Sequence, residues 1–244
     1  MQGKLALVTG GTRGIGAAIS KALLASGCTV IVTARTKSSF DSFIIGIQDS
    51  HLNRVSFLAC DFENETDVQA LEEVVSLGTD ILINNAGINS IALAAEIATA
   101  DFVRIQRVNV EVPFRLSKAA VTGMAARKWG RIVNITSIFG LVSKSQRLSY
   151  STSKFALNGM TRALALDYAE DNVLVNAVGP GVIETDLTHK ILGNAGIAAL
   201  TKNIPIGRLG TPEEIARLVI FLASEDNTYL TGQQIIIDGG YTSA

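Results

Sequence analysis

Short apolar runs alternate with longer segments of helical periodicity along the whole chain. The runs occupy residues 5–9, 29–33, 54–59, 80–83, 131–135, 174–178 and 233–238. Runs of this length, rich in Val, Ile and Leu, are typical of strands buried on both faces. Between them, apolar residues recur at helical spacing, most clearly in residues 65–77, 101–128 and 149–168. Strands that alternate with helices predict an α/β fold, in which helices cover both faces of a parallel sheet of about seven strands.

No linker or change of composition divides this alternation, so we expect residues 1–244 to form a single doubly wound domain. The least regular part is residues 182–211, where Gly193, Gly196 and Pro205 interrupt moderate helical signals. Long irregular segments in compact domains are usually functional, and a lid over the substrate is one interpretation. A passive surface excursion is the other.

The composition and charge of the chain indicate which kinds of binding partner to expect. The chain has 244 residues, 48% of them hydrophobic, and a formal net charge of −1. It contains no basic block, and therefore we expect no nucleic-acid and no membrane partner. The first residues lead directly into a strand and resemble no signal peptide, which predicts a cytoplasmic protein. Cys28 and Cys60 lie in or beside apolar runs and are expected to be reduced thiols, although one disulfide is compatible with the sequence; we expect no metal site.

A glycine-rich turn, Thr9–Gly16, joins the first predicted strand to the first predicted helix. Glycines at 10, 14 and 16 allow the backbone to approach a pyrophosphate, and the helix N-terminus presents free N–H groups and positive dipole to it. This favours a Rossmann-type dinucleotide site, with a turn that serves only packing as the alternative. The turn residues expected to contact the cofactor are Gly10, Thr12, Arg13, Gly14, Ile15 and Gly16.

The end of the second predicted strand bears on the choice of nucleotide. An acidic residue there holds the ribose 2′-hydroxyl in NAD-binding folds, whereas a basic residue accommodates a 2′-phosphate. Here the sequence is Ala34-Arg35-Thr36-Lys37, which offers the cations Arg35 and Lys37 and no carboxylate. Guanidinium groups bind phosphate through a planar fork, and Arg13 lies in the neighbouring turn. We therefore predict NADP(H) in preference to NAD(H); solvated surface cations are the alternative interpretation.

Tyr150 and Lys154 stand four residues apart in a predicted helix and therefore share one face. A cation beside a phenol favours the phenolate, which moves the tyrosine pKa towards neutrality, where an acid–base catalyst works best. Ser137 follows the predicted strand at 131–135, where its hydroxyl could hold a substrate oxygen. Alone, the Tyr/Lys pair would equally well be an exposed helical pair.

Together these residues resemble the short-chain dehydrogenase/reductase family, in its branch of single-domain enzymes. The resemblance covers nearly the whole chain. Its motifs are Thr9-Gly10-x-x-x-Gly14-x-Gly16, Asp61, Asn84-Asn85-Ala86-Gly87, Asn109, Ser137, Tyr150-x-x-x-Lys154 and Pro180-Gly181.

The resemblance implies further roles. Asp61 would accept a hydrogen bond from the adenine amino group, in a pocket lined by Cys60 and Phe62. Asn109 would bind a helix carbonyl and a water that connects Lys154 to solvent, and Lys154 would also bind the nicotinamide ribose. The other residues implied to contact the cofactor are Asn85, Ala86, Gly87, Tyr150, Pro180, Gly181, Ile183 and Thr185.

The implied reaction reduces a carbonyl to an alcohol. Ser137 and Tyr150 would donate hydrogen bonds to the carbonyl oxygen, the nicotinamide would deliver hydride to its carbon, and Tyr150 would supply the proton. The chain is similar in layout to 3-oxoacyl-acyl-carrier-protein reductases, so a 3-oxoacyl thioester is the first expectation for the substrate. An NADP-dependent sugar or polyol dehydrogenase and a non-catalytic dinucleotide-binding regulatory protein are the alternatives.

The sequence leaves two questions undecided: the role of two basic residues before Tyr150, and the location of a subunit interface. Lys144 and Arg147, shortly before Tyr150, either meet an anionic substrate or belong to a solvated loop. The resemblance also implies a homotetramer built through the long helices and the C-terminal strand. The apolar residues of 215–222 and 235–237 would suit such an interface or the core of the domain.

Overall fold

The computed structural model describes the backbone of residues 1–244 and every side chain except those of Leu187, Ile191 and Leu192. At its centre is a parallel sheet of seven strands in the order β3-β2-β1-β4-β5-β6-β7. The strands are β1 (Leu5–Val8), β2 (Thr29–Ala34), β3 (Val55–Ala59), β4 (Ile81–Asn84), β5 (Gly130–Ile135), β6 (Val173–Pro180) and β7 (Gln234–Ile237). The order reverses between β1 and β4, as in a Rossmann-type sheet, and confirms the predicted fold class.

Helices connect successive strands. They are α1 (Gly14–Ala25), α2 (Lys37–Ile44), α3 (Glu65–Ser76), α4 (Thr99–Gln106), α5 (Val112–Ala126), α6 (Leu148–Tyr168), α7 (Asp186–Thr201) and α8 (Pro212–Ala223). None of the helices in the described part of the chain is both long and apolar enough to span a membrane.

The hydrophobic core lies in two layers, one on each face of the sheet. Along β1, Ala6 and Val8 face the layer formed with α1 and α8, whereas Leu7 faces the layer formed with α3 and α5. Successive residues of a strand point to opposite faces, so a strand that is buried on both sides must be apolar throughout. This is why the strands read as continuous apolar runs in the sequence.

The predicted strands all form within two residues of their expected bounds. The sequence pattern gave no comparable signal for α2, because Phe43 is the only residue of this helix that is buried. Part of residues 215–222 has a place in the core, since Ile215, Val219 and Leu222 are almost fully buried. The isoleucines of β7, on the edge of the sheet, remain partly exposed.

The long helical segment expected at residues 101–128 is interrupted. Between α4 and α5 the backbone forms a π-helical turn at Arg107–Glu111, and Pro113 lies in the first turn of α5. Proline is tolerated there because its missing N–H would have no helical partner. The π-helical turn lies just before Pro113, and it holds Asn109.

The excursion at residues 182–211 contains more structure than its sequence indicated. Most of it is α7, which bends at Gly193. Its two ends are joined, because Glu184 N donates to Gly210 O at 2.8 Å and Gly210 N donates to Val182 O at 3.1 Å. The excursion therefore leaves the domain and returns to it at one point, beyond the carboxyl end of β6.

Candidate active site

The glycine-rich turn lies at the carboxyl end of β1, in the crevice where the strand order reverses. Gly10 and Gly14 have φ angles of 61° and 51°, which side chains rarely adopt. A Cβ atom on Gly16 would lie 2.5 Å from Asn85 Nδ2 and would also collide with the carbonyl oxygen of Gly10. Gly16 therefore allows the turn to pack closely against Asn85, the residue after β4. A role in packing and a role in binding a cofactor are compatible for this glycine.

The start of α1 suits an anion. Its N-cap residue, Arg13, provides no side-chain cap, and the first turn holds no acidic residue. The first-turn N–H groups and the helix dipole thus meet no negative side chain of their own helix. Thr185 borders this turn, since a Cβ on Gly14 would lie 3.5 Å from Thr185 Cγ2. Thr185 therefore lies beside the predicted pyrophosphate site. The free N–H groups of the first turn of α1 are donors that fit the phosphates of a dinucleotide.

The remaining turn residues differ in exposure. Thr12 is buried, Ile15 is half-buried and Arg13 is exposed. Arg35, at the carboxyl end of β2, is also exposed, and no salt bridge engages it among the described side chains. Lys37 pairs with Asp41 at 2.8 Å on the surface of α2. Of the cations proposed for a 2′-phosphate, Arg13 and Arg35 are therefore the ones without a competing carboxylate.

The segment after β4 is held to the turn by hydrogen bonds. Asn85 Nδ2 donates to Thr9 O at 2.9 Å, and the backbone N–H groups of Asn85 and Ala86 donate to Thr9 Oγ1. A side-chain amide of the Asn84–Gly87 motif thus holds the backbone of the glycine-rich turn. These bonds occupy both the Nδ2 group and the backbone N–H of Asn85, so a contact of this residue with a cofactor would use one of its oxygen atoms.

Asp61 and Phe62 follow β3 directly, and their side chains lie in different environments. Asp61 is half-buried and its Oδ1 accepts from Glu63 N at 3.0 Å. Phe62 and Cys60 are buried in the core layer of α3 and α5. Both side chains pack in this layer, and their part in an adenine pocket stays a prediction.

Ser137 and Tyr150 come together from different elements. Ser137 follows β5 and its Oγ accepts from Phe139 N at 3.1 Å, whereas Tyr150 lies in the first turn of α6. Burial raises the pKa of the Tyr150 phenol above its usual value, while a hydrogen bond with Ser137 and the charge of Arg147 lower it. The two side chains are therefore neighbours, as the sequence predicted, and Tyr150 is half-buried.

Lys154 is one turn after Tyr150, on the same face of α6. Its Nζ lies 5.5 Å from the centroid of the Tyr150 ring and donates to Ile135 O at 2.9 Å. Burial lowers the pKa of the ammonium to about 8. The predicted proximity is confirmed, but the cation whose charge lowers the Tyr150 pKa in this structure is Arg147. The sequence argument from i, i+4 spacing assigned this effect to Lys154 alone.

Asn109 connects three parts of the site. Its Oδ1 accepts from Ile88 N, and its Nδ2 donates to Ile88 O and to Ser153 Oγ, at 2.9, 2.9 and 3.0 Å. The carbonyl it binds thus belongs to the segment after β4, not to a helix as expected. A Cβ on Gly87 would lie 3.3 Å from Asn109 Oδ1 and 3.6 Å from Lys154 Nζ. Gly87, Asn109 and Lys154 therefore form one cluster, with Ser153 as a member that the sequence reasoning missed.

The segment after β6 completes the crevice. Pro180 ends β6, Gly181 N donates to Ile237 O at 2.9 Å, and a Cβ on Gly181 would lie 2.8 Å from Asp238 Cα. Ile183 is buried beside Gly210. These residues stand at the carboxyl end of the sheet, as their predicted contact with a nicotinamide requires, and lead to Thr185.

The structure reveals a contact between Phe139 and Arg147 beside Tyr150. Phe139 meets the Tyr150 ring edge-on, with centroids 6.4 Å apart, and the Arg147 guanidinium lies 5.7 Å above the Phe139 ring. The sequence marked Arg147 as a cation of undecided role and gave no signal for Phe139. Their relation depends on the path of the loop between β5 and α6.

Known proteins resemble this chain over nearly its whole length. A family model described as enoyl-(acyl carrier protein) reductase matches residues 10–242. The 3-oxoacyl-[acyl-carrier-protein] reductase of Aquifex aeolicus is 39% identical over 243 residues, which cover 98% of each chain. A solved structure described as a short chain dehydrogenase/reductase family protein is 34% identical with a TM-score of 0.90, and covers 99% of this chain and 98% of its own.

Two further solved structures contain a nucleotide. One is a 3-oxoacyl (acyl-carrier-protein) reductase from Agrobacterium tumefaciens with NADP bound, 33% identical with a TM-score of 0.91, covering 98% of this chain and 95% of its own. The other is a candidate NAD(P)-dependent gluconate 5-dehydrogenase from Beutenbergia cavernae with NADP at low occupancy, 33% identical with a TM-score of 0.90, covering 100% and 98%. Sequence and fold agree along the full chain, and the protein belongs to the short-chain dehydrogenase/reductase family of oxidoreductases.

Proposed function

We propose that the protein reduces a carbonyl to an alcohol with NADPH, and that Tyr150 supplies the proton. The observation that carries this proposal is that Ser137 and Tyr150, from different elements, are neighbours close enough for Ser137 to lower the phenol pKa. Two hydroxyl groups at one point can both donate hydrogen bonds to a single substrate oxygen. The buried ammonium of Lys154 lies one turn away on the same helix face.

The crevice at the carboxyl ends of β1 and β4 is the proposed cofactor site. The uncapped start of α1 and the glycine turn would hold the pyrophosphate, and Arg35 with Arg13 would face a 2′-phosphate. NADP in the related Agrobacterium structure supports the choice of nucleotide. When bound, NADPH supplies the hydride.

Within this arrangement the side chains have distinct tasks. Ser137 and Tyr150 orient the carbonyl and stabilise the negative charge that grows on its oxygen, because donors already in place lose nothing by reorganisation. Tyr150 transfers its hydroxyl proton to that oxygen. Lys154 helps to return a proton to the tyrosine, and Asn109 positions Lys154 and Ser153 by joining the segment after β4 to α6. Substrate carbonyl, hydride and proton together give the alcohol and NADP⁺.

A 3-oxoacyl thioester is the proposed substrate. The support is the full-length similarity to the 3-oxoacyl-[acyl-carrier-protein] reductase of Aquifex aeolicus. The family model's description names an enoyl reductase, a reaction that places a proton on carbon instead of oxygen. A pair of hydroxyl groups that converge on one point suits a carbonyl oxygen better. A sugar-acid or polyol dehydrogenase is a second candidate, since a solved relative is described as a gluconate 5-dehydrogenase.

Steady-state assays separate these substrates. NADPH oxidation is measured with acetoacetyl and crotonyl thioesters, and NADP⁺ reduction with gluconate and a polyol panel. We expect the acetoacetyl thioester to have the highest kcat/KM. Preference for gluconate would select the second candidate, preference for the crotonyl thioester would select the enoyl reaction, and no turnover with any compound would contradict the proposed function.

Tyr150→Phe tests the proton donor. We expect kcat to fall about 10²- to 10⁴-fold while the Kd of NADPH changes little, because the variant removes one hydroxyl group and keeps the ring. Tyr229→Phe is the matched control, since Tyr229 is 97% exposed. Near-normal turnover of Tyr150→Phe would show that another group supplies the proton.

A further inference from the structure

The loop between β5 and α6, residues 141–147, is held in one conformation. Ser143 Oγ lies 2.7 Å from Ser151 Oγ on α6, which joins the loop to the helix. Gln146 has a φ angle of 67°, in the left-handed region that few side chains adopt, and Arg147 is the N-cap residue of α6. A non-glycine residue in this region is kept there only by its surroundings. The direction of the Arg147 side chain is therefore set by the fold.

Arg147 is an unusual arginine in this protein. Its Nε and Nη1 atoms are shielded from solvent and have no hydrogen-bond partner among the described residues. Arg131 and Arg54 are also largely withdrawn from solvent, but each donates to backbone carbonyls, for example Arg131 Nη2 to Asn227 O and Arg54 Nη1 to Cys28 O. Shielding a guanidinium without acceptors is costly, so unsatisfied donors of this kind mark a place where a ligand supplies the acceptor.

The surroundings of Arg147 are positive and rich in donors. Arg147 borders a cleft of about 660 Å³ between the loop, the outer face of α6 and residues 92–94. The lining includes Lys144, Ser145 and Thr152 and contains no carboxylate. On its other side, Arg147 is separated from Tyr150 by the single ring of Phe139. Arg147 therefore lies between this cleft and Tyr150, close enough to the tyrosine for its charge to lower the phenol pKa.

We propose that Arg147 binds an anionic oxygen group of the substrate, so that the site favours carbonyl compounds which carry a negative charge. The inference rests on the proposed carbonyl reduction, and it adds the charge of the substrate to it. A guanidinium binds carboxylate or phosphate through two parallel hydrogen bonds, and no described residue accepts a hydrogen bond from Nε or Nη1 of Arg147. The group can be a carboxylate of the substrate itself or a phosphate of an attached carrier.

Lys144 has a different character although it borders the same cleft. Its side chain is exposed to solvent, whereas two of the three guanidinium nitrogens of Arg147 are shielded. A solvated ammonium contributes little to specific binding. The sequence offered the same two interpretations for Lys144 and Arg147. The structure distinguishes them by solvent exposure, and Arg147 is the residue expected to contact the anion specifically.

Substrate pairs that differ in charge test the inference. The kcat/KM with NADPH is measured for acetoacetate, for acetoacetyl-CoA and for acetoacetyl-N-acetylcysteamine, which carries no charge. Arg147→Gln should lower the value for an anionic substrate about tenfold or more, mainly through KM, and change that for the neutral thioester much less. A selective loss with acetoacetate identifies a substrate carboxylate, and a selective loss with acetoacetyl-CoA identifies a carrier phosphate.

Two further variants sharpen the comparison. Arg147→Lys keeps the charge without the fork and should recover only part of the preference for the anion. Arg162→Gln removes an exposed arginine from the same helix and should leave all three values unchanged. An equal loss for charged and neutral substrates in Arg147→Gln would overturn the inference, because the arginine would then act on the structure or on Tyr150.

Binding of malonate, which the enzyme cannot reduce, gives a readout independent of turnover. Calorimetric titration should show malonate binding to the wild-type protein that Arg147→Gln abolishes and Arg162→Gln retains. If no carbonyl compound is turned over but this binding is observed, the proposed function fails and the anion site stands. Absence of both the malonate binding and an Arg147-dependent substrate preference would overturn the anion site.

Discussion

The Nζ atom of Lys154 donates a hydrogen bond of 2.9 Å to the carbonyl oxygen of Ile135, the last residue of β5. This bond ties the catalytic face of α6 to the strand that leads to Ser137. It compensates for only part of the hydration that the ammonium loses, because burial still lowers the Lys154 pKa to about 8. The lysine is thus placed by a backbone acceptor and is ready to lose its proton near neutral pH.

This shift predicts a pH-dependent stability. The unfolded chain keeps the lysine proton up to about pH 10.5, whereas the folded protein releases it around pH 8. Between these values the unfolded state holds more protons, so the free energy of unfolding should rise with pH. A shift from 10.5 to about 8 corresponds to roughly 3 kcal/mol as an order of magnitude.

Urea denaturation of the cofactor-free protein at pH 7 and pH 10 measures this effect. Wild type should gain stability relative to Lys154→Met over this interval, while Lys118→Met, which removes an exposed lysine, should follow wild type. Parallel curves for wild type and Lys154→Met would show that the lysine pKa is the same in both states.

Arg35→Asp should reverse the nucleotide preference. The carboxylate would repel a 2′-phosphate and accept a hydrogen bond from a 2′-hydroxyl, so the ratio of the Kd values for NADPH and NADH should rise at least about tenfold. Fluorescence titration with both nucleotides measures this ratio. Lys37→Met should change it less, because Lys37 already pairs with Asp41. An unchanged ratio in Arg35→Asp would exclude Arg35 from the phosphate site.

Gly16→Ala should damage the dinucleotide turn. The new Cβ would lie 2.5 Å from Asn85 Nδ2 and would collide with Gly10 O, so the turn must shift. We expect a destabilisation of about 1–3 kcal/mol and weaker NADPH binding. Gly159→Ala in α6 is the matched control: nothing lies within 4 Å of its Cβ, and alanine should stabilise the helix by up to about 1 kcal/mol. Unchanged thermal unfolding and NADPH affinity in Gly16→Ala would contradict the proposed contact.

We predict a homotetramer in solution. Large apolar side chains are exposed on the outer helices, with Phe114 and Phe155 each 48% exposed and Leu166 82% exposed. The edge strand β7 also leaves its isoleucines partly uncovered. Such surfaces are typical of subunit interfaces. Light scattering coupled to size-exclusion chromatography should give four times the 25.8 kDa chain mass, and a monomer would refute the prediction.

Much of the site could be predicted because its signals are local. The strand positions follow from apolar runs, and the shared face of Tyr150 and Lys154 follows from helical spacing. The roles of Asn109 and Phe62 could not be read in this way. Asn109 reaches Ile88 and Ser153 only because a π-helical turn aims it there, and Phe62 enters the core because α3 and α5 leave room for it.

By itself, the sequence determined the order of strands and helices, the glycine turn and the shared helix face of Tyr150 and Lys154, since each depends on residues close together along the chain. The tertiary structure decided which distant groups meet. It made Ser137 and Tyr150 neighbours and gave Lys154 a backbone acceptor on β5. It also placed Arg147 over Phe139, where no described residue accepts from its Nε or Nη1. Such relations depend on burial and on the path of a loop, because the cost of an unpaired charge appears only when the chain is folded around it.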